Sequence, residues 1–200
     1  MAKANRIVFA SANAGKAREI EALLGDEFEV ILQGELGIES AAETGTTFEA
    51  NSLLKAQHAA AASGLPALAD DSGIEVDALN GAPGVYSSRY AGEGASDADN
   101  LHKLLKEMQA VPDEQRTARF RCVLTFLRSA TDAKPLVADG CWEGSIARAP
   151  SGSEGFGYDP IFIDAESGVI SAQLEPAQKN ARSHRGKALA KLRHLIAANG

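Results

Sequence analysis

Arg6-Ile7-Val8-Phe9-Ala10, followed at once by Ser11-Ala12-Asn13-Ala14-Gly15-Lys16, is the stretch from which the fold is read. The first five residues form a short β-branched and aromatic run, the signature of a buried strand. Beyond Lys16, Ile20, Leu23 and Leu24 recur at helical spacing, and Gly25 is the usual C-terminal stop. The unit is therefore strand, loop, helix, with small residues at the turn. The helix start offers free backbone amides and the positive end of the dipole, and Lys16 adds a full charge. That outlines a phosphate cradle. It is not a GxxxxGK[ST] loop, because the required upstream glycine is missing, and the residues alone equally allow an ordinary βα turn with a solvated lysine.

Working outward, Phe28–Leu32 reads as a second strand. Thr46-Thr47-Phe48-Glu49 is a capping-box pattern that opens a helix over Asn51–Ser63, closed by Gly64 and Pro66. Ser96 caps a further helix whose Leu101, Leu104, Leu105 and Met108 form an apolar stripe. Thr117–Arg128 alternates as a long strand, with Phe120, Cys122, Leu124 and Phe126 on one face. Leu136–Ala138 and Cys141–Ala147 make two more, joined by Asp139-Gly140 as a hairpin signal. A βα start beside an antiparallel middle predicts a mixed α/β protein rather than a purely doubly wound one.

Composition narrows the function classes. Two hundred residues with 44% hydrophobic content suit a soluble protein of one domain or two closely joined lobes. No apolar run reaches the roughly 20 residues of a membrane span, and no signal-peptide pattern opens the chain. Two cysteines without a CxxC pair suggest neither a disulfide framework nor structural zinc, and fit a reducing cytoplasm. A net charge of −7 argues against a general nucleic-acid binder, so any phosphate must be held by locally placed cations, amides and metal.

Three further stretches carry chemistry. Leu65-Pro66-Ala67-Leu68-Ala69 delivers Asp70-Asp71-Ser72-Gly73 to an expected strand end, and adjacent carboxylates on a strand point to opposite faces. One is then inward or structural, and the other is placed to hold a divalent cation or take a proton from water. Read without context, the same residues are common turn formers. Gly155-Phe156-Gly157-Tyr158-Asp159 sets an aromatic between glycines, able to stack on a nucleobase or to tuck back into a core. The last helix opens near Ser183, with His184 and Arg185 in its first turn and Lys179 just upstream. Basic residues there oppose the helix dipole, and an anionic or carbonyl-rich ligand would explain them.

Taken together, SANAGK, LADDSG, GAPGVYSSRYAG, EGFGYDPIF and KNARSHRGKAL resemble, in order and from about Ile7 to Leu195, the inosine/xanthosine triphosphate pyrophosphatase family. The resemblance implies an elongated mixed sheet flanked by helices, two lobes within one domain over residues 1–200 and a cleft between them, commonly in a homodimer. It also implies a Mg²⁺-dependent, cytoplasmic enzyme that hydrolyses ITP, dITP, XTP or dXTP to the monophosphate and pyrophosphate, keeping wrong bases out of nucleic acids. On this resemblance the loop Ser11, Ala12, Asn13, Ala14, Gly15 and Lys16 holds the triphosphate. Asp71 is metal ligand and proton acceptor, and Ser72 touches substrate. Phe156, Gly157, Tyr158 and Asp159 wall the purine, with Phe156 stacked on it. Lys179, Ser183, His184 and Arg185 read the base and hold the nucleotide. Two departures concern the second metal ligand. Ala42 stands where relatives often carry a glutamate before Glu43, and Ala50 replaces another beside Glu49. Glu43 is the candidate, with Asp70 and Glu49 as alternatives. The competing readings are a house-cleaning pyrophosphatase for modified pyrimidines or dUTP, and a nucleotide-binding module that senses without hydrolysing.

Overall fold

The computed structural model describes residues 5–24 and 27–199, so Gly25, the expected helix stop, lies outside the described residues. Strands β1 (Asn5–Phe9), β2 (Phe28–Leu32), β3 (Ala67–Val76), β4 (Thr117–Leu127), β5 (Leu136–Ile146) and β6 (Phe162–Asp164) form one sheet in the order β2-β1-β3-β4-β5-β6. β1 runs parallel to β2, with Ile7 opposite Val30, and parallel to β3, with Val8 opposite Ala67. β6 runs antiparallel to β5, with Gly144 opposite Asp164. The mixed α/β expectation holds. Among the described residues no helix is long and apolar enough to cross a membrane.

The chain divides into two compact units. The first comprises residues 1–71, 122–140 and 185–200. Alternation along β1 sends Ile7 and Phe9 to one face, where they pack against Ile20 and Leu24 of α1 (Ala14–Leu24) and Leu189 and Leu192 of α5 (His184–Asn199). Val8 and Ala10 go to the other face, against Ala56, Ala59 and Ala60 of α2 (Phe48–Ser63) together with Ala67, Ala69 and Leu127. Parallel strands buried on both faces need helices on both sides, and α1 with α5 opposite α2 supply them. Each large side chain so buried contributes about 1.5–3 kcal/mol. The alanine face of α2 lets that helix approach the strands closely.

The second unit comprises residues 72–121 and 141–184. Its core gathers Leu101, Leu104 and Met108 on or just past α3 (Asp97–Glu107) with Ile74, Val76, Phe120, Trp142 and Phe162. Ser96 caps α3 as its sequence predicts, in a full capping box with Asp99. Gly73 is obligatory here, since a Cβ would fall on the Gly84 carbonyl oxygen and the Ser87 hydroxyl. Ser87 Oγ accepts from Ile74 N at 2.9 Å and donates to Gly84 O at 2.6 Å, which fastens the 84–90 turn to β3.

Four local expectations are corrected. β3 does not end near Ala69 but runs through Asp70-Asp71-Ser72-Gly73 to Val76, so the two aspartates sit mid-strand rather than at a turn. Asp139-Gly140 is not a hairpin turn. β5 passes straight through it with Asp139 outward, paired to Lys191 at 3.0 Å, and Gly140 buried, so sheet pairing outweighs the turn dipeptide. The cap of α2 is Thr47, whose hydroxyl accepts from Ala50 N, rather than Thr46, so Glu49 does not close a capping box. The C-terminal region holds two helices. α4 (Pro176–Arg182) ends at Ser183, and α5 begins at His184, which puts Lys179 inside α4.

Candidate active site

In the first unit the β1–α1 loop is built by its own side chains. Asn13 N donates to Ser11 Oγ at 3.1 Å, and Lys16 N donates to Asn13 Oδ1 at 3.0 Å, so Asn13 caps α1. Ala12, Asn13 and Ala14 are exposed, while Ser11, Gly15 and Lys16 are half-buried. The loop lines a cavity of about 480 Å³ whose other wall is Leu32–Glu35 and Ile38–Ser40. Lys16 Nζ donates to Asp70 Oδ1.

Asp70 is fully enclosed. Besides Lys16 it accepts from Arg185 Nε at 2.8 Å and from the Cys122 thiol at 3.1 Å. Burial pushes its carboxyl up, but Arg185 and Lys16 outweigh that and hold it well below the usual carboxylate range. Arg185, 1% exposed, also donates to Glu19, and these carboxylates raise its pKa despite burial. The cation at the start of α5 is therefore satisfied within the chain, and the helix-dipole mismatch needs no ligand to explain it.

Asp71, the next residue, faces α2. Its Oδ1 accepts from Lys55 Nζ at 2.7 Å and its Oδ2 from Asn51 Nδ2 at 3.3 Å. Lys55 Nζ also donates to Glu43 Oε1 at 2.9 Å, and Asn51 Oδ1 accepts from Gly45 N at 2.7 Å. Helix α2 thus ties the Glu43 loop and Asp71 together. Burial raises the Asp71 pKa above its ordinary value, with Glu43 adding to the rise and Lys55 and Lys16 pulling against it. A carboxylate of raised pKa is more basic than a surface aspartate, as a proton acceptor needs. Glu43 stands beside Asp71, Glu49 is exposed, and Asp70 is committed to Lys16 and Arg185.

In the second unit the glycine-flanked loop is shaped by Asp159. This buried carboxylate accepts from Phe156 N at 2.9 Å, Ser171 Oγ at 2.6 Å and Lys179 Nζ at 2.7 Å. Gly155, at φ +84°, has no room for a Cβ because the Asp159 carboxylate lies there. Lys179 Nζ also stands 5.3 Å from the Phe156 ring centroid, a cation–π contact. Phe156 and Gly157 are half-buried. Tyr158 is buried, and its hydroxyl donates to Ser87 O at 2.8 Å. Ser72 is half-buried on β3, Ser183 is buried at the end of α4, and His184 stacks on Phe120 with ring centroids 4.8 Å apart.

The sequence-predicted residues thus form two sets. Asp71, Glu43 and Lys16 with its loop lie in the first unit, joined by Arg185. Phe156, Tyr158, Asp159, Lys179, Ser183 and His184 lie in the second, as does Ser72. Sequence reasoning missed Lys55, Asn51, Glu19 and Ser87. The signal for the first two was available: Asn51 and Lys55 are four apart on an otherwise alanine-rich helix, one polar stripe on an apolar face.

The model of the Ham1 family matches residues 7–195. The chain is 60% identical over 188 residues to a dITP/XTP pyrophosphatase of Vibrio cholerae, covering 94% of each chain. It is 55% identical over 185 residues to the dITP/XTP pyrophosphatase of Escherichia coli O157:H7, covering 92% of this chain and 94% of that one. Among solved structures, a HAM1 protein from Coxiella burnetii superposes with a TM-score of 0.88 at 48% identity, covering 96% of this chain and 98% of that one. A nucleoside-triphosphatase / dITP/XTP pyrophosphatase from Mycobacterium abscessus gives 0.74 at 41% identity, over 94% and 98%. The likeness runs through both sets of site residues from end to end, and the chain belongs to the Ham1 family.

Proposed function

We propose that the chain is a nucleoside triphosphate pyrophosphatase that removes deaminated purine nucleotides (dITP, ITP, XTP and dXTP) from the cytoplasmic pool by hydrolysis to the monophosphate and pyrophosphate. The observation that carries this reading is Asp71. It is a buried carboxylate of raised basicity, linked through Lys55 to Glu43 and subject to the charge of Lys16 in the Ser11–Lys16 loop. The names of the relatives at 55–60% identity, dITP/XTP pyrophosphatase, support dITP and XTP among these.

Mg²⁺ fits the donor set. Glu43 and Asp71 offer the hard carboxylate oxygens that would hold such an ion. Among the described residues no group of three or more His, Cys, Asp or Glu is placed to hold a metal ion. When bound, the ion neutralises charge on the phosphates and polarises phosphorus. The chain's own residues do the rest. The capped start of α1 and Lys16 hold phosphate oxygens, and Asp71 orients the attacking water and takes its proton. Ser72 touches the nucleotide.

For the base, Phe156 supplies the stacking face, with Gly157, Tyr158 and Asp159 as the wall beside it. The Tyr158 hydroxyl is engaged with Ser87 O, so Tyr158 acts by shape. A 6-oxo purine presents an acceptor where adenine presents an amino group. Donors at that edge, from Lys179, Ser183, His184 and Arg185, favour hypoxanthine and xanthine and leave adenine's amine unpaired. Arg185 is the costliest of these to redirect, because its guanidinium serves Asp70 and Glu19. The assembly proposed is a homodimer.

The deciding assay is pyrophosphate release from dITP, ITP, XTP, dUTP and ATP, with and without EDTA. The expected result is release from the deaminated purines, suppressed by EDTA. Asp71→Asn should lower dITP turnover about a hundredfold or more, the usual cost of losing a general base. Near-normal turnover in that variant removes Asp71 from its role. Preference for dUTP would indicate a pyrimidine enzyme, and release in neither condition a binding module.

A further inference from the structure

Lys55 stands between the two carboxylates assigned to the cation. Its ammonium reaches Asp71 Oδ1 at 2.7 Å and Glu43 Oε1 at 2.9 Å, and its side chain is 11% exposed. One turn earlier on the same face of α2, Asn51 holds Asp71 Oδ2 and the amide of Gly45. The Glu43 loop and β3 are therefore brought to one helix face, with one cation already bridging them. An ammonium and a divalent ion seek the same oxygens, and each repels the other at short range. Lysine is suited to give way, since its charge is a compact point on a flexible four-carbon stem.

We propose that Lys55 gates the cation position. As an ammonium it clamps Glu43 to Asp71, and a divalent ion arriving alone has to displace it. A triphosphate assists by accepting the displaced ammonium on its own oxygens. Cation and nucleotide then bind with strong positive coupling, and by linkage each raises the affinity of the other equally. The charge pattern agrees. Lys16, Lys55 and Arg185 face Asp70, Asp71, Glu43 and Glu19, so the clamp leaves this cluster close to neutral and offers a free dication little net attraction. Moving the ammonium onto phosphate uncovers both carboxylates when the substrate is there to use the ion. The gate rests on the assignment of Glu43 and Asp71 to the cation, and the test separates the two.

The test is direct Mn²⁺ binding to the intact protein, followed by the electron paramagnetic resonance of free Mn²⁺. It is run with and without an α,β-methylene analogue of dITP. Wild type is compared with Lys55→Met, Glu43→Gln and Asp71→Asn, each checked for folding by circular dichroism. The gate predicts that Lys55→Met tightens Mn²⁺ binding in the absence of nucleotide by about tenfold or more, and that the analogue then adds clearly less than it does in wild type. Lys55→Gln, which keeps a donor without the charge, is expected to behave in the same way and serves if the methionine variant fails to fold. Unchanged or weaker Mn²⁺ binding in the Lys55 variants, with Asp71→Asn still abolishing it, overturns the gate and leaves the cation pair standing. Mn²⁺ binding untouched by both Glu43→Gln and Asp71→Asn overturns the pair itself, and the gate with it.

Discussion

The two faces of β3 hold carboxylates one residue apart, and almost everything about them differs. On the face toward α1 and α5, Asp70 meets two cations and a thiol, and its pKa falls well below the ordinary range. On the face toward α2, Asp71 meets one close cation, an amide and the neighbouring Glu43, and its pKa rises. Both are nearly enclosed, with side chains 0% and 6% exposed, so burial alone does not separate them. The balance of partners does: Asp70 is over-compensated and Asp71 under-compensated. A strand's alternation thus places two carboxylates with opposite electrostatic balances side by side.

The contrast can be broken at either carboxylate. The largest stability effect expected is Asp70→Asn, which leaves Arg185 buried with one carboxylate fewer. Loss of one partner from a buried ion pair costs about 3–5 kcal/mol, read as a fall in the urea midpoint. A loss under about 1 kcal/mol would mean that Asp70 is no more than a surface-grade pair. Asp71→Asn should instead cost activity while the fold survives.

A pH series sharpens the comparison. The lowered pKa of Asp70 gives stability that is present above the unfolded value of about 4 and is lost as acid titrates it toward its folded value. The raised pKa of Asp71 has the opposite sign. Its neutral form is the one the fold prefers, so that contribution is complete below about pH 4 and disappears as pH rises through the folded value. Relative to wild type, the urea midpoints of the two Asn variants should therefore drift in opposite directions as pH rises from acid to neutrality. Drifts of the same sign would refute the assignment.

The smallest effect is expected at Cys122. Cys122→Ala removes only a weak donor to Asp70 and a sulfur's worth of packing, and should cost about 1 kcal/mol, leaving dITP turnover unchanged. A large loss of activity in that variant would place the thiol, unexpectedly, within the chemistry.

Much of this arrangement was legible in the sequence. Alternation put Asp70 and Asp71 on opposite faces, Ser96 announced α3, and the Arg6–Lys16 run gave the first βα unit. Illegible were the features set by partners far along the chain. Lys16 and Arg185 reach Asp70 across 54 and 115 residues, so the neutralisation of Asp70 has no local signal. Asp139-Gly140 failed as a turn for a related reason. A dipeptide preference is small beside the pairing of an eleven-residue strand. Lys55 escaped notice because a lysine on a helix is ordinarily solvated. Only the closeness of the alanine face of α2 to β3 carries it inward.

The chain's two cysteines are divided between the two units, Cys122 in the first and Cys141 in the second. The Cys122 thiol is wholly buried and held far from ionisation by burial and by Asp70. Cys141 is partly exposed, with burial and Glu143 pushing it up to about 11. Thiolate is the form that reacts, so disulfide exchange at Cys122 proceeds only through excursions that expose β4 beside Asp70. Each unit therefore carries its own chemical clock, and the slower one keeps time for the strands that hold Asp70 and Asp71.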